Sequence, residues 1–83
     1  MDSKQWVVYL LRCVDNSFYC GVTNDINRRL NEHNTSKRGA RYTRSRRPVQ
    51  LIGCKSVSSR SEAQSLEARI KKMKKLEKLN FFS

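Results

Sequence analysis

Apolar residues fall into three short runs and two spaced stripes along the chain. Residues 6–13, Trp-Val-Val-Tyr-Leu-Leu-Arg-Cys, are rich in β-branched and aromatic residues and predict a strand. Val7, Tyr9 and Leu11 share one face of it, Val8 and Leu10 the other. With both faces apolar, the strand is expected at the centre of its sheet. Val14-Asp15-Asn16-Ser17 supplies turn residues. Phe18-Tyr19-Cys20-Gly21-Val22-Thr23 completes a hairpin, with Gly21 where a backbone needs close approach. Thr23, Asn24 and Asp25 then offer N-caps for a helix whose core contacts are Ile26 and Leu30, four apart. Arg29 and His33 are also four apart, on one side of that helix, with His33 close enough to the apolar stripe to be partly covered.

Residues 34–48 lose the pattern. Gly39 and Pro48 argue for a loop, and residues 49–57 predict a third strand. Ser61 followed by Gln64 fits a capping box, so the next helix is expected to start there. Its buried face is Ala63, Leu66, Ile70 and Met73. Glu67 lies roughly 80° from the centre of that face at 100° per residue, on the border rather than the solvent side. Leu76 and Leu79 are out of phase, which predicts a break near residues 72–75 and a short last helix, with Phe81 and Phe82 packing back. The order β-β-α-β-α-α predicts one α+β domain over residues 1–83: a small three-stranded sheet, a hairpin plus one strand, flanked by helices.

Charge changes the picture most. Lys and Arg number 18 against 7 Asp and Glu, a net charge of +11. A field of that sign attracts polyanions, nucleic acid first, with an anionic membrane surface or a heparin-like polymer as generic competitors. No Asp or Glu occurs between Glu32 and Glu62, while Lys37, Arg38, Arg41, Arg44, Arg46 and Arg47 do, with Tyr42 among them. Such a loop can hold backbone phosphates with Arg and stack a base on Tyr; the plain alternative is a solubilising loop. The basic stretch 71–78 reads as a solvated helix face. No run approaches the ~20 apolar residues of a membrane span. The N-terminus, Met-Asp-Ser-Lys-Gln, is not a signal peptide. Cys13, Cys20 and Cys54 are odd in number and lack C-x-x-C spacing, so buried free thiols in a reducing, cytoplasmic compartment are expected.

No phosphate-binding loop, zinc-protease, serine-hydrolase or EF-hand pattern is present. What remains is a basic protein with two tyrosines, Arg29, His33 and a border-placed carboxylate, Glu67. Phosphodiester hydrolysis needs a positioned water, a base, neutralisation of phosphoryl charge and help for the leaving oxygen. Arginine matches phosphate oxygens bidentately, a tyrosine can orient or activate water, and a Mg²⁺ held by one carboxylate stabilises developing charge. Taken singly, each tyrosine is an ordinary half-buried strand residue and Arg29 an ordinary surface helix residue.

Together these residues resemble the GIY-YIG endonuclease superfamily, in particular its small stand-alone members. Val7-Val8-Tyr9 matches the first triplet and Tyr19-Cys20-Gly21 the second. Arg29 follows Tyr19 by ten residues, with His33 one turn on. Ser61-Glu62-Ala63, Leu66-Glu67 and Ile70-Lys71-Lys72 resemble the helix bearing the family's metal glutamate. Gly39-Ala40-Arg41-Tyr42-Thr43 and Arg47-Pro48 look like the loop of short members. The departures are Val7 and Val8 for Gly and Ile, and Cys20 for Ile.

The resemblance implies that Tyr9 activates or orients the water and that Tyr19 assists it or contacts the phosphate. Arg29 would stabilise transition-state charge, and His33 would support proton transfer or phosphate binding. Glu67 would hold a single Mg²⁺ or Mn²⁺. The expected function is a metal-dependent endonuclease of low sequence specificity acting on DNA, single-stranded or branched rather than intact duplex, with no other small-molecule cofactor and no membrane. A protein partner would supply specificity. The competing reading is a non-catalytic basic nucleic-acid-binding module; a weaker one is a basic C-terminus on anionic membrane.

Overall fold

The computed structural model describes residues 5–83. The elements run β1 (Trp6–Arg12), β2 (Phe18–Thr23), α1 (Ile26–Thr35), α2 (Arg41–Arg44), β3 (Gln50–Val57), α3 (Arg60–Lys71) and α4 (Lys75–Phe82). The three strands form an antiparallel sheet in the order β2-β1-β3, so the strand with two apolar faces is the central one. Its alternation splits the core. Val8 and Leu10 pack with Cys20, Ala63, Ile70 and Phe82 under α3 and α4. Tyr9 and Leu11 pack with Ile26 and Leu30 of α1 on the opposite face. The hairpin closes on Asn16 with φ 67°, a left-handed conformation that Asn tolerates. The Asp15 carboxylate accepts the Ser17 N–H at 3.0 Å and stabilises that turn.

The sequence order is reproduced, with local differences. The loop 34–48 contains one helical turn, α2, because Thr43 and Arg44 return their amides to the Ala40 carbonyl. The N-cap of α3 is Ser59, not Ser61: its side chain accepts the Glu62 amide at 3.1 Å, while the Glu62 carboxylate accepts the Ser58 hydroxyl at 2.9 Å. The Glu62 carboxylate reaches back one residue past the cap, to Ser58, so the reciprocal half of a capping box is not closed; in the first turn it complements the helix dipole. The break falls at residues 72–74, as the phase change predicts. Cys13 and Cys20 are buried free thiols, but Cys54 is exposed. It sits on edge strand β3 opposite Tyr9, on a face that α1 leaves open. Among the described residues, no helix is long and apolar enough to cross a membrane.

Candidate active site

The α1 face of the sheet gathers four of the five candidate catalytic residues. Tyr9 stands on β1, Tyr19 on β2, and Arg29 and His33 on α1. The register pairs Tyr9 with Gly21. A Cβ at Gly21 would stand 2.6 Å from Tyr9 Cζ, so glycine is what lets the Tyr9 ring lie across the edge strand. Ring centroids are 6.5 Å apart for Tyr9 and Tyr19, 5.8 Å for Tyr9 and His33, and 5.3 Å for Tyr19 and His33.

His33 is the hub, and its proton can be placed from backbone geometry. The Ala40 N–H donates to Nδ1 at 3.2 Å. A backbone N–H cannot turn round, so Nδ1 is the acceptor and the neutral ring carries its proton on Nε2. That Nε2–H donates to the Tyr9 hydroxyl oxygen at 2.7 Å. Thr43, fully buried, donates its hydroxyl to the Ala40 carbonyl at 2.9 Å and lies 3.0 Å from Nδ1. His33 itself is 0% exposed, not partly covered as its helix position alone suggests. The loop folds back over it, and Gly39 permits the approach: a Cβ there would meet the Glu32 carbonyl at 2.6 Å. Burial, reinforced by the positive charge of Arg29, pushes the His33 pKa down to about 4. The imidazole is therefore neutral at pH 7 and offers no edge to an external phosphate.

Burial also raises the Tyr9 pKa, against a lowering by the hydrogen bond from Arg29. The Tyr9 oxygen thus accepts from His33 with the Arg29 guanidinium close by, while the phenol stays protonated. Arg29 Nη1 donates to Glu32 Oε1 at 3.1 Å and to the Arg38 carbonyl at 2.7 Å. Burial disfavours its charge, but the bonds to Glu32 and Tyr9 more than offset this and hold the guanidinium cationic.

The loop residues divide in two. Lys37, Arg38, Arg41, Tyr42 and Arg44 are exposed around this cluster. Tyr42 stacks on Tyr19 at 6.0 Å between centroids. Arg46 instead lies 3.9 Å above the Tyr42 ring and pairs with Asp15 at 3.1 Å. Arg47 is turned inward: it donates to the carbonyls of His33 at 2.5 Å, Glu32 at 3.3 Å, and Ser36. A cation on the carbonyl end of α1 answers its dipole and its orphan acceptors. Arg47 thus holds the loop in place rather than presenting charge outward.

Glu67 is not with the tyrosines. It lies on α3, across the sheet, half-buried and paired with Lys71 at 3.3 Å. Its charge is felt at Cys20, between Tyr19 and Gly21 on the edge strand, where burial first and Glu67 second push the thiol up to about 11. Among the described residues, no group of three or more His, Cys, Asp or Glu could enclose a metal ion. A lone carboxylate suits Mg²⁺ only where waters and substrate oxygens complete the octahedron. Glu67 would suit an ion of that kind. Sequence reasoning missed Glu32, Thr43 and the Ala40 amide; the three-residue spacing of Arg29 and Glu32 is the one signal that marks any of them.

Comparison with known proteins accords with the fold. The chain is 49% identical over 72 residues to the UPF0213 protein DP2720 of Desulfotalea psychrophila and spans 66% of that protein's length. It is 47% identical over its full 83 residues to a UPF0213 protein of Streptococcus pneumoniae, covering 82% of it. The solution structure of EF2693 from E. faecalis superposes with a TM-score of 0.66 at 43% identity, covering 96% of this chain and 84% of that one. The UPF0213 protein BH0048 from Bacillus halodurans gives 0.57 at 36% identity, covering 93% and 81%. Residues 5–80 match the GIY-YIG catalytic domain, that of a nuclease family, and this chain belongs to that family.

Proposed function

We propose that this protein is a metal-dependent endonuclease that hydrolyses DNA phosphodiester bonds with low sequence specificity, favouring single-stranded or branched DNA. The observation that carries the reading is the Tyr9 hydroxyl receiving Nε2–H of a neutral, tautomerically fixed His33 beside the cationic Arg29. A merely basic binding surface needs no such relay.

Arg29 keeps N–H groups for a phosphate after bonding Glu32 and Arg38, and matches its oxygens bidentately. Because the Tyr9 oxygen already accepts from His33, its own proton is directed away from the imidazole, where it can orient a water or a phosphate oxygen. Burial opposes the phenolate at neutral pH, so orientation is the role that Tyr9 is best suited to, with Tyr19 beside it. His33 acts as a positioning residue: its depressed pKa disfavours proton delivery as imidazolium. Glu67 would hold a Mg²⁺ or Mn²⁺, which when bound supplies stabilisation of the leaving oxygen. Lys37, Arg38, Arg41 and Arg44 would carry flanking phosphates.

The test incubates end-labelled single-stranded, duplex and forked DNA with Mg²⁺, Mn²⁺ or EDTA. Products should require metal and vanish in Arg29→Ala and Glu67→Ala, with binding retained in the latter. Unchanged cleavage by Glu67→Ala removes that carboxylate from the site. The Glu67–Lys71 ion pair is the observation that favours the second reading, a non-catalytic binding module. Tight binding with no cleavage of any substrate would establish it.

A further inference from the structure

At the end of the sheet, beyond Arg29, a cleft of about 240 Å³ opens between the start of β1, the start of α1 and the start of α3. Arg28, Arg29 and Arg60 line it against one carboxylate, Glu32. Trp6 forms part of its wall, with the Arg60 guanidinium carbon 5.7 Å from the Trp6 ring centroid. The Arg28 side chain is 57% exposed and touches Glu32 only at 3.8 Å, so its charge is largely available. None of Trp6, Arg28 or Arg60 takes part in the tyrosine cluster.

We propose that this cleft is a nucleotide subsite for the strand flanking the bond cut at Arg29, with Trp6 as its stacking face and Arg28 and Arg60 as its phosphate contacts. The inference rests on the nuclease reading and extends it. Arg29 joins the two halves: its guanidinium bonds the Arg38 carbonyl of the basic loop on one side and lines the cleft on the other. A phosphate at Arg29 therefore has the loop on one flank and the cleft on the other. The cleft is smaller than the about 300–1,000 Å³ of free-ligand pockets. The cleft is open to solvent and offers one aromatic wall, which suits a single splayed base rather than a base pair, so the expected occupant is an unpaired strand at that flank. Aromatic stacking beside arginines is how unpaired strands are held without sequence preference. The Arg60 guanidinium, 5.7 Å from the Trp6 ring centroid, is a loose cation–π contact, so a base on that ring would meet an arginine already close enough to take its phosphate.

Trp6 is the chain's only tryptophan, so its fluorescence reports on this cleft and on the core packing behind it. The wild-type protein in EDTA would be titrated with oligothymidylate, following Trp6 emission and, in parallel, anisotropy of the end-labelled strand. The expected result is saturable quenching that tracks anisotropy and is absent with a blunt duplex of equal length. In Arg28→Ala/Arg60→Ala, the slope of log K against log salt should be shallower by about 1.4, two contacts at about 0.7 each. Binding by anisotropy with unchanged Trp6 emission and an unchanged salt slope overturns the subsite and leaves the nuclease reading standing. Equal quenching by the duplex overturns the selection for an unpaired strand. No binding by anisotropy overturns both the subsite and the DNA reading beneath it.

Discussion

His33 is the chain's only histidine, so its protonation can be followed without ambiguity. Burial and the nearby Arg29 charge depress its pKa to about 4 from an ordinary 6.5. Between those values the unfolded chain binds a proton that the folded chain does not. Stability is therefore full above about pH 6.5 and is lost as the pH falls toward 4, at up to about 1.4 kcal/mol per pH unit. From pH 7 to pH 5 the loss is about 2 kcal/mol, a sizeable share of the roughly 5–15 kcal/mol that holds a domain together. Asp15 does not blur the window. Its bonds to Ser17 hold its carboxyl below the ordinary range, so its contribution is lost at lower pH. Urea unfolding at the two pH values measures the difference, and the ring proton and nitrogen shifts of His33 report its titration and tautomer directly. A pKa near 6.5, or a proton found on Nδ1 at neutral pH, would refute both the burial argument and the direction of the His33–Tyr9 bond.

Other perturbations separate the parts of the site. Thr43→Val removes the hydroxyl that bonds the Ala40 carbonyl and should cost about 1–3 kcal/mol in unfolding free energy while His33 keeps its proton on Nε2, because the Ala40 amide fixes it; a switched tautomer in the nitrogen shifts would assign that control to Thr43. Gly21→Ala drives a methyl group into the Tyr9 ring, with overpacking of about 1–3 kcal/mol set against about 0.5–1 kcal/mol gained in strand propensity. The net cost is up to about 2.5 kcal/mol, so at about 4–8 °C per kcal/mol Tm should fall by up to about 10–20 °C, and a raised Tm would contradict the close approach. Arg47→Ala should lower stability by roughly 1–3 kcal/mol by baring the α1 carbonyls, with little change in the salt slope of DNA binding, whereas Arg41→Ala should do the reverse. Lys71→Ala releases Glu67 from a surface pair worth about 0.2–1 kcal/mol, so the metal concentration for half-maximal cleavage should drop up to about fivefold; a rise would show that Lys71 assists the site.

The sequence displayed what depends on local spacing. Alternation in residues 7–11 carried the two-sided core, Asp25 capped α1 by accepting the Arg28 amide at 3.2 Å, and the phase slip between Ile70 and Leu76 marked the end of α3. Tyr9, Tyr19, Arg29 and His33 were legible for the same reason: two strands and one helix with short connections leave little choice of which faces meet. What stayed hidden depends on a long-range return. The burial of His33 and the inward turn of Arg47 both follow from the loop folding back on α1, and a run of uniformly basic residues gives no hint which arginine faces in. Cys54 looked buried because its strand is apolar in composition, but β3 lies at the sheet edge, where α1 does not reach.

The division of the site between two layers has a physical consequence. Arg29 and the tyrosines lie on the α1 face, while Glu67 rides on α3 across the sheet, and the two halves approach each other at edge strand β2, where Tyr19 and Cys20 point to opposite faces. A phosphate gripped by Arg29 and a cation held by Glu67 would therefore meet around that edge. Their separation would be set by how firmly β2 is held to β1. Six consecutive register pairs join the two strands, and β1 is fixed in turn by β3 and by apolar packing on both faces. In so small a domain, the central strand is the most rigid place to hang a site. Tyr9 stands on that strand, and the neighbouring strand and helices bring the other groups to either side of it. On the nuclease reading, the mobile requirement would fall on side chains alone: Lys71 would leave Glu67, and Arg29 would open toward a phosphate without losing Glu32 and the Arg38 carbonyl.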